Sequence, residues 1–327
     1  MTDSLHAVQA VEVAPSVVCI GDPAGTLGRS NSVVVTAGGR TTVVDTLLTP
    51  LLAGEIRRVL DGRAVHADVI VNTHPHIDHV GGNAALPEAR VVASAATAAM
   101  VATLATDTGF LADRFPAFAS ELRTLDIRIP DTVDAERDLP SGVELIELGH
   151  AHSPGDLALW LPDVGVLIGG DVCFRDVTPL ALPGHADIQG WAAALSALSE
   201  LNPKVVVPGH GSPGDARPLS LLQRYFDQLQ ELATDVISGA MTTDEAVDAL
   251  GGLLPGWAEP GRHAVNLKTA TAAHAAPNTA AFGRPQMHTP LPGPGDGARD
   301  TDKADQQPPG AQTQNPRPTQ AQGVPSW

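Results

Sequence analysis

Residues 74–79 read His-Pro-His-Ile-Asp-His and come directly behind the run Asp-Val-Ile-Val-Asn at 68–72. Six positions therefore hold three imidazoles and one carboxylate. A short apolar, β-branched run without polar alternation reads as a strand covered on both faces. The polar cluster thus stands at the end of a buried strand, not on an ordinary surface loop. Residues two apart in extended chain face the same way, so His74 and His76 can share one ion. Asp78 and His79 lie past the turn and can reach a second. Gly81 and Gly82 allow a tight fold of the backbone before the next element. Such a donor set suits zinc, and also iron or manganese.

The rest of the chain builds the same kind of strand end. Short β-branched runs at 16–20, 32–36 and 41–45 read as strands, with Gly38-Gly39 as a hairpin turn between the last two. A helix is expected at 50–60, a short strand at 91–93, an Ala-rich helix capped by Ser94, and a further helix at 115–125. In the second half, 143–148, 157–160, 166–169 and 204–207 read as strands. Helices are expected at 188–201, 218–237 and 243–250. Strands come in runs with helices between the groups, which favours two sheets covered by helices over one parallel sheet.

Three of these later strands end on a possible ligand. His152 lies in Gly-His-Ala-His-Ser-Pro-Gly-Asp at 149–156, Asp171 follows Val-Leu-Ile-Gly-Gly at 166–170, and His210 follows Val-Val-Val-Pro-Gly at 205–209. One strand-end histidine is weak evidence; four strand-end sites in one chain are strong. In this order, across roughly residues 15–215, the motifs resemble those of the metallo-β-lactamase superfamily. The resemblance implies an α/β (α+β) fold, the four-layer αββα sandwich, with a dinuclear metal site on one edge. It implies His74, His76 and His152 on a first ion, Asp78, His79 and His210 on a second, and Asp171 bridging both. Two Zn2+ are the expected cofactors. The activity implied is hydrolysis of a carbonyl compound (thioester, lactone, lactam or ester) by a hydroxide bridging the two ions, with Asp78 or Asp171 orienting it.

The resemblance also separates branches. An aspartate at the bridging position is typical of glyoxalase II-like and lactonase-like members, whereas zinc β-lactamases usually carry cysteine there. Asp171 therefore points away from a dedicated antibiotic-degrading enzyme. The lone tyrosine, Tyr225, lies beyond His210, which disfavours a lactonase that uses a tyrosine between the last two ligands. Retention of His76 disfavours the flavin di-iron branch. A mononuclear iron persulfide (sulfur) dioxygenase on the same fold is the competing reading.

Supporting residues are weighed singly. Asp45, at the end of a strand, is expected to brace the histidine loop. Arg175, four residues past Asp171, is a candidate for a substrate carboxylate, against the alternative of a solvated loop charge. His150 faces either the ligands or the core, and His185 is expected on a surface loop. Cys173, Trp160 and Trp191 read as core.

Composition bounds the partners. Acids outnumber bases 37 to 20, for a formal charge of -17. This argues against nucleic acid and against an anionic membrane surface, both of which need clustered cations, and leaves a small-molecule substrate. Two cysteines, no membrane-length apolar run and no signal-like N-terminus make the cytoplasm the expected location. Residues 8–272 are expected to form one catalytic domain. Residues 275–327 hold 10 of the 28 prolines and no apolar periodicity, and are expected to be a disordered tail.

Overall fold

A computed structural model describes residues 8–275 and 286–288. Seven strands lie side by side in chain order: β1 (Gln9–Ala14), β2 (Val17–Gly21), β3 (Ser32–Ala37), β4 (Arg40–Val44), β5 (Val69–Val71), β6 (Arg90–Ala93) and β7 (Asp131–Thr132). β1 to β4 form an antiparallel meander, and β4 to β7 pair in parallel. Gly38 and Gly39 close the β3–β4 hairpin at φ of 54° and 74°, the left-handed geometry that a two-residue turn of this hand requires.

The second sheet contains β8 (Glu144–His150), β9 (Pro154–Leu161), β10 (Val166–Ile168), β11 (Val205–Val207) and β12 (Gln286–His288). Their spatial order is β11-β10-β9-β8-β12. β10 and β11 are parallel and the other pairs antiparallel. β12 falls within the stretch expected to be a tail; the remainder of that tail, beyond residue 275, lies outside the described residues.

Ten helices are described: α1 (Gly54–Gly62), α2 (Ile77–Val80), α3 (Ala95–Leu104), α4 (Leu111–Arg114), α5 (Ala119–Leu122), α6 (Ala135–Asp138), α7 (Ile188–Glu200), α8 (Arg217–Ser238), α9 (Thr243–Leu253) and α10 (Arg262–Ala275). Ser94 caps α3 by accepting from Thr97 N, as its sequence position suggests. The single helix expected at 115–125 is instead broken. Phe115 adopts φ -125° ahead of Pro116, and a 3-10 turn and the short α5 follow. The residue before a proline is pushed out of the helical region, which separates this segment from α4, and within it the chain leaves helical geometry at Phe118, with φ -114° and ψ 12°.

Strand periodicity sorts the core into layers. Val17, Cys19, Val33, Val35, Val44, Val69 and Val71 face Leu157, Leu159, Val166, Ile168 and Val207 between the sheets. Their alternating neighbours Val18, Ile20, Val34, Val43 and Ile70 pack outward against α1 and α3. On the other side, Ile146, Leu148, Trp160, Leu167 and Val206 pack against α7, α8 and α10. The order is helix, sheet, sheet, helix, the expected αββα sandwich. α8 shows the helical version of this rule: Leu219, Leu222, Tyr225, Phe226, Leu229 and Leu232 form one buried stripe. Each such side chain contributes about 1.5–3 kcal/mol of burial. No described helix is long and apolar enough to cross a membrane.

Candidate metal centre

β4, β5, β10 and β11 deliver the chain to one edge of the sandwich, and the β8–β9 turn arrives there too. Asp45 follows β4, Thr73 and His74 follow β5, His152 sits in the turn, Asp171 follows β10 and His210 follows β11. The fold thus brings all seven expected ligands together, although they come from segments up to 136 residues apart (210 less 74). Close packing permits this convergence. A Cβ at Gly81 would lie 1.9 Å from Leu48 O, and one at Gly209 would lie 1.9 Å from Asp171 Oδ1.

Two groups of donors form. His74, His76, His152 and Asp171 offer atoms within 4.8 Å of one another, and so do Asp78, His79 and His210. Asp171 faces both. Its Oδ2 lies 3.5 Å from His152 Nε2 and 3.4 Å from His210 Nε2, and its Oδ1 lies 3.1 Å from His79 Nε2. Asp78 Oδ2 is 3.4 Å from His210 Nε2.

Hydrogen bonds behind the rings fix which nitrogen each offers. Thr73 Oγ1 donates its single proton to Asp45 Oδ2 at 2.7 Å, so at 2.9 Å it accepts from His74 Nδ1–H. His79 Nδ1–H donates to Asp45 Oδ2 at 2.7 Å, and His210 Nδ1–H donates to the carbonyl of Arg29 at 3.2 Å. Each of these three rings therefore turns Nε2 inward, the arrangement by which outer partners orient metal-binding imidazoles. His76 Nδ1 faces His152 Nε2 at 2.8 Å. Two neutral acceptor nitrogens cannot satisfy one another, so a proton or a cation must lie between them.

The site tests well for a metal ion. His74 Nε2, His79 Nε2 and Asp171 Oδ1 are buried without a hydrogen-bond partner among the described residues. Buried polar atoms are normally paired, and an ion in each donor group would satisfy them, His74 in the first, His79 in the second and Asp171 between. Electrostatics agree. Burial lowers the pKa of His74, and the neighbouring His79 lowers it further. Burial likewise lowers that of His76, to about 4. Burial also opposes charge on His79 and His210, but Asp171 with Asp45 raises the first and Asp171 with Asp78 raises the second to about 9. Burial works against the Asp171 anion too, yet His210, His79 and His74 hold its carboxyl well below the usual range. The carboxylates thus draw positive charge into the cluster, and a divalent ion supplies it. Asp45 also belongs to a close grouping with His74 and His79. Its oxygens, however, accept from Thr73 N, Thr73 Oγ1 and His79 Nδ1, so it stands behind the rings.

The remaining candidates divide. Arg175 Nη2 donates to the backbone carbonyl of Asp215 and lies 3.3 Å from Asp215 Oδ1, so its guanidinium is already engaged. His150 Nε2–H donates to His185 O at 2.5 Å and holds a turn. His185, expected on a surface loop, is half-buried with its ring centroid 5.5 Å from that of His76, and so lines the site. Cys173, Trp160 and Trp191 are buried, and Trp191 packs 5.0 Å from His152. Sequence reasoning missed Thr73, although it directly precedes His74. It also missed the strap at 29–31. Ser30 Oγ donates to Asp78 O, and Asn31 Nδ2 donates to Pro208 O and Gly211 O at 2.8 Å each.

Residues 25–210 match the profile described as "Metallo-beta-lactamase superfamily". A "Metallo-beta-lactamase type 2" of Bacillus sp. (strain 170) is 27% identical over 192 residues, covering 57% of this chain and 68% of that protein. A "Hydroxyacylglutathione hydrolase" of Methylococcus capsulatus is 32% identical over 136 residues, covering 42% of this chain and 44% of that protein. Among solved structures, the metallo-beta-lactamase FIM-1 from Pseudomonas aeruginosa in the mono-zinc form superposes with a TM-score of 0.53 at 18% identity, covering 68% of this chain and 95% of that one. This last likeness shows the fold.

Proposed function

The chain belongs to the metallo-β-lactamase superfamily as a metal-dependent hydrolase, and from that premise we propose that it uses a dinuclear zinc centre to cleave a carbonyl substrate (a thioester, lactone, lactam or ester). The observation that carries the dinuclear reading is the position of Asp171. One of its oxygens approaches His152 of the first donor group and His210 of the second at 3.5 and 3.4 Å. A carboxylate so placed can serve two ions at once.

His74 Nε2, His76 Nδ1 and His152 Nε2 would hold one ion. His79 Nε2, His210 Nε2 and a carboxylate oxygen of Asp78 would hold the other. Bound divalent ions supply a Lewis acid for the carbonyl oxygen and bring the pKa of a water near 7. The chain supplies position and charge. Asp171 and Asp78 accept a hydrogen bond from the attacking water and turn its lone pair toward the carbonyl carbon. Burial of the histidine cage excludes bulk solvent and strengthens these interactions. The FIM-1 structure in its mono-zinc form supports zinc, and the names β-lactamase and hydroxyacylglutathione hydrolase support an acyl substrate.

The test is a panel of one thioester, one lactone, one β-lactam and one activated ester, given to the zinc-loaded full chain and to Asp171→Asn. The proposal expects turnover of at least one class and its loss in the variant. Failure across the panel by protein carrying two zinc ions would contradict it.

A further inference from the structure

The chain that leads from Asp171 to α7 has neither helix nor strand over residues 178–187. Thr178, Pro179 and Ala181 are nevertheless buried. A buried segment of this kind must find partners for its backbone groups outside a ladder. α10 supplies them from side chains. Arg262 Nη1 donates to Thr178 O at 2.9 Å, and Asn266 Nδ2 donates to Pro179 O at 2.8 Å. Asn266 Oδ1 accepts from Ala181 N at 2.7 Å, and Thr269 Oγ1 donates to Ala181 O at 2.6 Å. These residues stand at i, i+4 and i+7, so one face of the helix reads the backbone of 178–181 group by group. α10 lies outside residues 25–210, which match the family profile.

The Asn266 amide has one orientation. Ala181 N can only donate and Pro179 O can only accept, so Oδ1 faces the first and Nδ2 the second. The other Nδ2 proton goes to Tyr225 Oη at 2.9 Å, which lies 3.0 Å from His263 Nδ1. All three side chains are buried, and the lone tyrosine of the chain thus backs the clamp. Beyond Ala181 the segment turns, with His185 N and Ala186 N both donating to Leu182 O. That turn brings the His185 ring centroid to 5.5 Å from that of His76, and His150 holds the His185 carbonyl. The segment then rejoins the site: Asp187 N donates to Ala151 O at 2.8 Å, next to His152.

We propose that Asn266 and Thr269 are positioning residues of the site: they hold 178–181 in one course and so keep the His185 ring beside His76, where it walls the substrate side of the centre. Only the words substrate side rest on the proposed hydrolase reading. Loops that carry function depend on a rigid scaffold to place them, and here that scaffold is the polar face of a helix. Pro179 and Pro183 remove two backbone donors from the segment, so it is poorly equipped to replace a lost α10 partner from within. Neither Asn266 nor Thr269 touches the donor groups themselves, so their effect passes through the segment and His185.

The test compares the zinc-loaded full chain with Thr269→Val, which keeps the shape and removes the hydroxyl. Hydrogen exchange read by mass spectrometry should be about tenfold faster or more over 179–187, and unchanged in β10 and β11. Carbethoxylation of His185 by diethyl pyrocarbonate should rise relative to that of exposed His66. Zinc content should stay the same. Thr269→Ser, which keeps the hydroxyl, should exchange and label as the wild type does. On a substrate that the panel identifies, KM should rise in Thr269→Val with kcat nearly unchanged. Asn266→Ala removes two bonds to the segment and should give the larger effect; Thr269→Val decides if that variant does not fold. Exchange that speeds up evenly along the chain, unchanged His185 labelling, or a fall in kcat at constant KM in Thr269→Val would overturn the proposal. The exchange and labelling readouts need no turnover, so failure of the substrate panel and failure of this clamp are distinct results.

Discussion

Asp45 Oδ2 accepts the Nδ1 proton of His79 at 2.7 Å, from a backbone held in the left-handed region at φ 57°. Aspartate and asparagine tolerate that region better than most residues. The same carboxylate takes Thr73 N and Thr73 Oγ1, so one side chain sets the orientation of two imidazoles. Asp45→Asn keeps the size and backbone preference but removes the charge. It should weaken metal affinity or activity by about 10- to 100-fold and, because its amide NH2 must face a buried donor, cost about 1–3 kcal/mol of stability. Zinc titration alongside thermal unfolding checks this.

Asn31 links the first sheet to the turn that carries His210. Asn31→Ala leaves Pro208 O and Gly211 O without their donor. The expected cost is about 1–3 kcal/mol of stability, read as a lower urea midpoint. The strap also holds Asp78 through Ser30, so one zinc should be lost more readily than the other during dialysis against a chelator.

Arg175→Ala should change kcat/KM less than twofold. Its guanidinium is committed to Asp215, which is itself half exposed and shared with Arg217. Partly exposed pairs of this kind contribute at most about 1 kcal/mol. Steady-state kinetics on any substrate the panel identifies provides the check.

Cys19 is 3% exposed, and burial pushes its thiol up to about 12. The thiolate is the reactive form. At pH 8 the native chain should leave Cys19 unmodified by iodoacetamide, and labelling should appear only on unfolding or as the pH approaches that value. Peptide mapping by mass spectrometry decides between these outcomes.

The candidate ligands were legible because most of them follow directly on a strand whose apolar run is visible in one dimension. His74 to His79 even share one motif. The sandwich was legible for the same reason: period-two alternation sorts Val33 and Val35 to one face and Val34 to the other. What escaped depends on contacts across long separations. Asn31 meets Gly211 over 180 residues and Arg262 meets Thr178 over 84, and neither side chain carries a local signal. β1 escaped because its residues are largely exposed and its pairing with β2 is the main thing that defines it. His185 was expected on a surface loop; the loop instead folds inward where His150 holds its carbonyl, and sets the ring 5.5 Å from that of His76.

The central claim is that two divalent ions share Asp171. Elemental mass spectrometry on the full chain, purified without a metal-binding tag, measures this most directly. The account predicts about two zinc ions per chain, falling to one or fewer in Asp171→Asn. About one iron per chain, with oxygen uptake on a persulfide, would contradict it.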